Sequence, residues 1–132
     1  MKITPDTTVL VRAVVRDDLK QAKAAAKVLR EAELVAVSLA SLCELVWVLR
    51  RVYKFNAADA GAAIRALRAA ANVEMNQPGV DAGLAMLDSG GDFADAVIAF
   101  EGNWLGGDMF VSFDKAAVFL LNASGKESRL LA

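Results

Sequence analysis

The sequence predicts an α/β protein: a three-layer α/β/α sandwich with a central, mainly parallel sheet. Short β-like runs alternate with helical patterns along the whole chain, which is what parallel strands joined by crossover helices require. The chain has 132 residues and is 56% hydrophobic, enough for one sizeable core and too apolar for a disordered chain. No internal repeat and no linker-like stretch interrupts it, so residues 1–132 read as a single domain.

Each element has a local reason. Lys2-Ile3-Thr4 reads as a first strand broken by Pro5, and Asp6 stands where it caps a helix through Val9, Leu10 and Val14. Asp17 is expected to cap a second helix to about Glu33, with Leu19, Ala22, Ala26 and Leu29 as its apolar stripe. Leu34 to Val37 is a short buried strand, after which Ser38 or Ser41 opens a helix to about Tyr53. Asn56, with Asp59 following, starts a helix whose inner face is Ala60, Ile64, Leu67 and Ala71. Val73-Glu74-Met75 is the expected third strand. Pro78 lies near the start of the next helix, which Gly90 and Gly91 stop. Asp92 opens a helix through Ala94, Ile98 and Ala99. The Gly106-Gly107 turn then leads into a strand from Met109 to Phe113. Asp114 caps a short helix ending near Gly125, and Ser128 to Leu131 adds an edge strand.

Composition narrows the chemistry. Histidine is absent, which removes Ser-His-Asp and Cys-His nucleophilic machinery, histidine-ligated zinc and any imidazole base. The single Cys43 forms no internal disulfide, so a reducing, cytoplasmic location is expected. The uncharged stretch Leu34 to Cys43 is far shorter than the roughly 20 residues of a membrane helix, and no signal peptide is recognisable. The net charge of −1 conceals an asymmetry. Residues 1–30 carry seven bases against three acids, whereas residues 73–105 carry six acids and no base. A basic region facing a carboxylate cluster suits a metal-dependent enzyme acting on phosphates.

The acids fall at telling places. Asp6 follows the first strand, Glu44 lies on the helix after the second, Asp92 and Asp95 open a helix, and Asp114 ends the Met109–Phe113 strand. In an open parallel sheet, ligands bind beyond the carboxyl ends of the strands. Carboxylates gathered there repel one another unless a cation sits among them, and an all-oxygen donor set favours Mg2+ or Mn2+. Asp6, Asp92 and Asp114 also stand where Asp is an ordinary helix cap, and Asp95 where an acid favours the helix dipole. Glu44 interrupts the apolar stretch Leu42 to Leu49, where a lone carboxylate is costly to bury; a ligand role or a buried partner is expected for it.

Four segments then form an ordered set: Asp6-Thr7-Thr8-Val9-Leu10-Val11-Arg12; Glu44-Leu45-Val46-Trp47-Val48-Leu49; Asp92-Phe93-Ala94-Asp95-Ala96-Val97-Ile98-Ala99; and Ser112-Phe113-Asp114-Lys115-Ala116. Together they resemble the successive motifs of PIN-domain proteins, and in particular the VapC-type toxins of bacterial toxin–antitoxin pairs. No single motif is specific; the order and separations are. The resemblance covers essentially the whole chain and implies a PIN-like fold. It matches Asp6, Glu44, Asp95 and Asp114 to the family's metal-binding acids, Asp92 to an acid that often accompanies them, and Ser112 to a common hydroxyl position. It implies an endoribonuclease toxin that hydrolyses RNA phosphodiesters with a metal-activated water, using Mg2+ with Mn2+ as substitute. It also implies a homodimer, silenced by a cognate antitoxin and independent of any membrane.

One position departs from the family pattern. Two residues after the first Asp the family usually carries Asn, less often Ser; here Thr8 supplies one hydroxyl and no amide. Arg12, with Arg16 and the stripe Lys20, Lys23, Lys27 and Arg30, is a candidate for backbone phosphates. Trp47, Val48, Val52 and Tyr53 exceed what one helix face buries and form a candidate contact surface. Two other readings stay open: a catalytically weakened PIN-fold binding module, and a phosphatase or receiver-like domain using Lys115. The second lacks a second Asp beside Asp6 and leaves Glu44 without a role.

Overall fold

The computed structural model describes residues 1–132, which form two compact units, 1–76 and 77–132. In residues 1–76 the elements are β1 (Lys2–Ile3), α1 (Thr7–Val15), α2 (Leu19–Glu31), β2 (Leu34–Ala36), α3 (Leu39–Arg51), α4 (Ala57–Ala69) and β3 (Val73–Glu74). The three strands form one parallel sheet in the order β1-β2-β3, with Ile3 beside Val35 and Val35 beside Val73. Parallel pairing obliges the chain to cross over between strands. The helix pairs α1–α2 and α3–α4 make those crossings. Because β1 and β2 run in the same direction, the starts of α1 and α3 leave from the same sheet edge.

The core of this unit is aliphatic. Leu10, Val35, Leu42, Leu45, Leu49 and Ile64 are completely buried. Along α3 the buried residues Leu42, Leu45, Val46 and Leu49 fall on one face, the helical spacing that the sequence pattern gives. Ser38, not Ser41, caps α3: its side chain accepts the Ser41 N–H at 3.1 Å. Asn56 caps α4 in the same way, accepting from Asp59 N–H at 2.8 Å.

Three local expectations are corrected here. Asp18, not Asp17, caps α2; it accepts the Gln21 N–H at 3.0 Å, while Asp17 is drawn off by Arg12 and the Tyr53 hydroxyl. The packed face of α2 therefore runs through Ala22 and Ala25, and Leu19, in the first turn, stays 65% exposed. Ala71 does not extend the α4 face, because the backbone turns extended at Ala70 and ends the helix.

Residues 77–132 contain α5 (Gln77–Asp88), α6 (Phe93–Trp104), β4 (Phe110–Ser112), α7 (Lys115–Ala123) and β5 (Ser128–Leu130). Here too the pairing is parallel, Phe110 beside Ser128 and Ser112 beside Leu130, with α7 as the crossover. All strand pairing in the molecule is thus parallel, as the α/β class requires, in a three-stranded and a two-stranded sheet. The α5 and α6 helices approach closely because Gly83 leaves room: a Cβ there would lie 2.5 Å from the buried Phe93 ring. Gly90, at φ +90°, makes the left-handed turn between them. No helix is long and apolar enough to cross a membrane.

Candidate functional site

In residues 1–76 the candidate acids are Asp6 and Glu44. Asp6 is the cap of α1, with extended backbone, and its Oδ1 accepts the Thr7 N–H at 2.7 Å. The Thr8 hydroxyl donates to its Oδ2 at 3.3 Å. Both oxygens of Asp6 are therefore oriented by neutral donors from the first turn of the helix it starts. Glu44 sits on α3 and is exposed, not sunk in an apolar wall. The helix rotates Leu42, Leu45 and Val46 inward and leaves Glu44 and Trp47 outside. The burial cost expected from the linear sequence is absent because neighbours in sequence are not neighbours around a helix. Its Oε1 accepts the Thr7 hydroxyl at 3.1 Å.

In residues 77–132 the acids are Asp92, Asp95 and Asp114. Asp92 caps α6, its Oδ1 accepting the Ala94 N–H at 2.9 Å. Asp114 caps α7, its Oδ1 accepting the Ala117 N–H at 3.1 Å. Ser112 accepts the Asp114 backbone N–H on its hydroxyl at 2.9 Å, which fixes the turn that delivers the carboxylate. Asp95 lies half-buried in the first turn of α6. Burial, then the negative charges of Asp92 and Asp114, push its carboxyl above the ordinary carboxylate range. The fold thus brings Asp92 and Asp114 near enough for their charges to bear on Asp95.

Asp92 and Asp114 are the helix caps that the sequence leads one to expect, and the charges of both bear on Asp95. An Asp cap uses one oxygen on the helix and keeps its charge, so capping and ligation do not compete for the whole carboxylate. The donor set fits a hard divalent cation in chemistry: oxygens only, with Asp95 under repulsion. Within neither unit alone do three acidic or thiol side chains form a group able to hold a metal ion.

Arg12 is placed differently from what the sequence suggests. Its guanidinium donates to Gln21 Oε1 at 2.6 Å, to Asp17 Oδ1 at 3.1 Å and to the Tyr53 hydroxyl at 3.4 Å. Tyr53 in turn donates to Asp17 Oδ2 at 3.0 Å. The hydrogen bond with Tyr53 and the charge of Asp17 raise the Arg12 pKa above its ordinary value, outweighing partial desolvation. This side chain ties α1, the start of α2 and the end of α3 together. Lys20, Lys23, Lys27 and Arg30 are exposed on α2.

A family model for the PIN domain matches residues 3–117, most of the chain and all of the acids just described. The chain belongs to the PIN-domain family. PIN domains are generally metal-dependent nucleases, so this chain has a nuclease-type fold of the class that hydrolyses nucleic acid. No curated protein matches the chain.

Thr7, beside the Thr8 that the sequence pattern singles out, makes hydrogen bonds to both candidate acids of its unit. It is the only buried polar residue. The signal was present: a hydroxyl residue directly after Asp6, at a position whose helical neighbours Leu10 and Val11 are buried.

Proposed function

We propose that this PIN domain is a divalent-metal-dependent endoribonuclease, the toxin of a toxin–antitoxin pair acting in the cytoplasm. Asp6, Glu44, Asp95 and Asp114 hold the cation, Mg2+ or Mn2+ in its place, with Asp92, Thr8 and Ser112 in support. The observation that carries this reading is the placement of Asp95, half-buried in the first turn of α6 and under the charges of Asp92 and Asp114, a position that a cation relieves. Residues 1–132 act as one domain on this reading, supported by a family match that runs across both compact units. When bound, the metal supplies Lewis acidity toward a scissile phosphate and lowers the pKa of a water. The protein's own part is orientation: Thr8 and the Thr7 N–H aim Asp6, and the α6 and α7 helix starts aim Asp92 and Asp114.

The exposed bases of α2 supply contacts to the RNA backbone; Arg12 joins them only by leaving Asp17. An open hollow of about 450 Å³ between α1 and α2, lined by Thr8, Val9, Arg12 and Val28 among others, begins beside the Asp6 turn. Its mostly apolar wall suits a covering segment of an antitoxin. Trp47 and Val52, 55% and 57% exposed on and just beyond α3, support contact with a second copy. A binding-only module is the second reading, favoured by the lack of any three-acid group within either unit.

The test is cleavage of a panel of structured RNAs by purified protein with Mg2+ or Mn2+, beside Asp114→Asn, with the new ends mapped. Metal-dependent cuts that vanish in the variant are expected. Equal cutting by both proteins removes the site assignment, and no cutting by either with Mn2+ favours the binding module.

A further inference from the structure

We propose that Thr7 is a positioning residue that holds Glu44 and Asp6 in a fixed relation, the hydroxyl serving Glu44 and the backbone serving Asp6. This rests on the metal-dependent reading above. Three observations carry it. Thr7 is buried, with a relative exposure of 8%, and is the only polar residue so placed. Its N–H donates to Asp6 Oδ1 at 2.7 Å, and its hydroxyl donates to Glu44 Oε1 at 3.1 Å. One residue thereby links a carboxylate at the start of α1 to a carboxylate in the middle of α3.

The choice of residue type has a physical reason. A β-branched side chain in a helix has few χ1 rotamers, so burial beside Leu10 and Val11 fixes where the hydroxyl points. A hydroxyl donates one proton and brings no charge. An Arg or Lys in the same place would also hold Glu44, but it would neutralise the carboxylate and compete with a cation. Thr7 orients Glu44 through Oε1 and leaves its negative charge and Oε2 available. Partners behind a ligand that fix its direction typically change metal affinity by about 10- to 100-fold when lost.

The variant that isolates this contact is Thr7→Val, which keeps shape and the backbone N–H and removes only the hydroxyl. Mn2+ binding to the full chain is measured by calorimetry, with melting in chelator as the control on folding. Thr7→Val is expected to weaken Mn2+ binding about 10- to 100-fold with little change in the chelator melt, since exposed Glu44 regains water. Thr7→Ser, which keeps the hydroxyl, is expected to restore most of the affinity. Thr7→Ala removes the hydroxyl without added bulk and is expected to show the same loss as Thr7→Val. In a cycle with Glu44→Gln, Thr7→Val should add almost nothing, because it acts through that carboxylate. Unchanged Mn2+ affinity in Thr7→Val and Thr7→Ala, or fully additive losses with Glu44→Gln, overturns the role of Thr7 while the metal site stands. Absence of Mn2+ binding in the wild-type chain overturns the metal reading itself, and this role with it.

Discussion

The two sets of candidate acids are held by different means. In residues 1–76, Asp6 and Glu44 are oriented largely by threonine hydroxyls and one N–H, all neutral, and the two acids share a neighbour in Thr7. In residues 77–132, Asp92 and Asp114 are oriented by the open N–H groups at two helix starts, and Asp95 is left to face both of them. Hydroxyls fix direction through side-chain packing, so their precision depends on the surrounding core. Helix starts fix direction through backbone geometry, which needs only a cap residue at the right position. The contrast places electrostatic stress in the second set and packing dependence in the first.

The comparison is broken most directly at Asp95. Asp95→Asn removes the repelled carboxylate, and metal-dependent RNA cleavage is expected to fall by more than about 100-fold, beyond the loss typical of a partner behind a ligand. Cleavage assays at saturating Mn2+ check this; a loss under tenfold would place Asp95 outside the site.

The second test concerns Thr8, whose 3.3 Å bond to Asp6 is the longest of the contacts holding that acid. Thr8→Asn, with a longer reach and an amide donor, is expected to raise cleavage up to about tenfold, and Thr8→Ser to change it little. Equal rates for all three proteins would mean that the hydroxyl is an adequate donor.

A smaller effect separates capping from charge. Asp92→Ala removes the α6 cap and should cost about 1 kcal/mol of stability, whereas Asp92→Asn keeps a good cap and should cost almost nothing. Urea denaturation of metal-free protein distinguishes them.

The smallest effect is the pH dependence of Asp95. Its folded pKa is raised, so the stability associated with its neutral form is fully present below the ordinary Asp value and is lost as pH rises through the folded value. Asp95→Asn should therefore melt about one to two degrees above wild type at neutral pH in chelator, a small gain because water screens a half-buried group. The gain should disappear in acid. A neutral-pH melt no higher than wild type would mean that burial and repulsion of the Asp95 carboxylate together cost this half of the molecule nothing.

Much of the fold was legible because its signals are local. Asp6, Asn56, Asp92 and Asp114 each cap the helix they were expected to cap, since a cap needs only its own side chain and an N–H one to three residues on. The parallel pairing followed from strands separated by helices. Asp17 was misread for the opposite reason. Two adjacent aspartates have equal capping propensity, and what separates them is a long-range claim on Asp17 by Arg12 and Tyr53.

By itself, then, the sequence determined the α/β class, the parallel pairing and the caps at Asp6, Asn56, Asp92 and Asp114, because each rests on periodicity or on neighbours a turn apart. Tertiary structure alone decided that Arg12 is tied to Tyr53, that Thr7 joins Asp6 to Glu44, and that Asp95 feels the charge of Asp114. Those facts depend on which face of one element meets which face of another. Such contacts join residues far apart in the chain, and no local pattern encodes them.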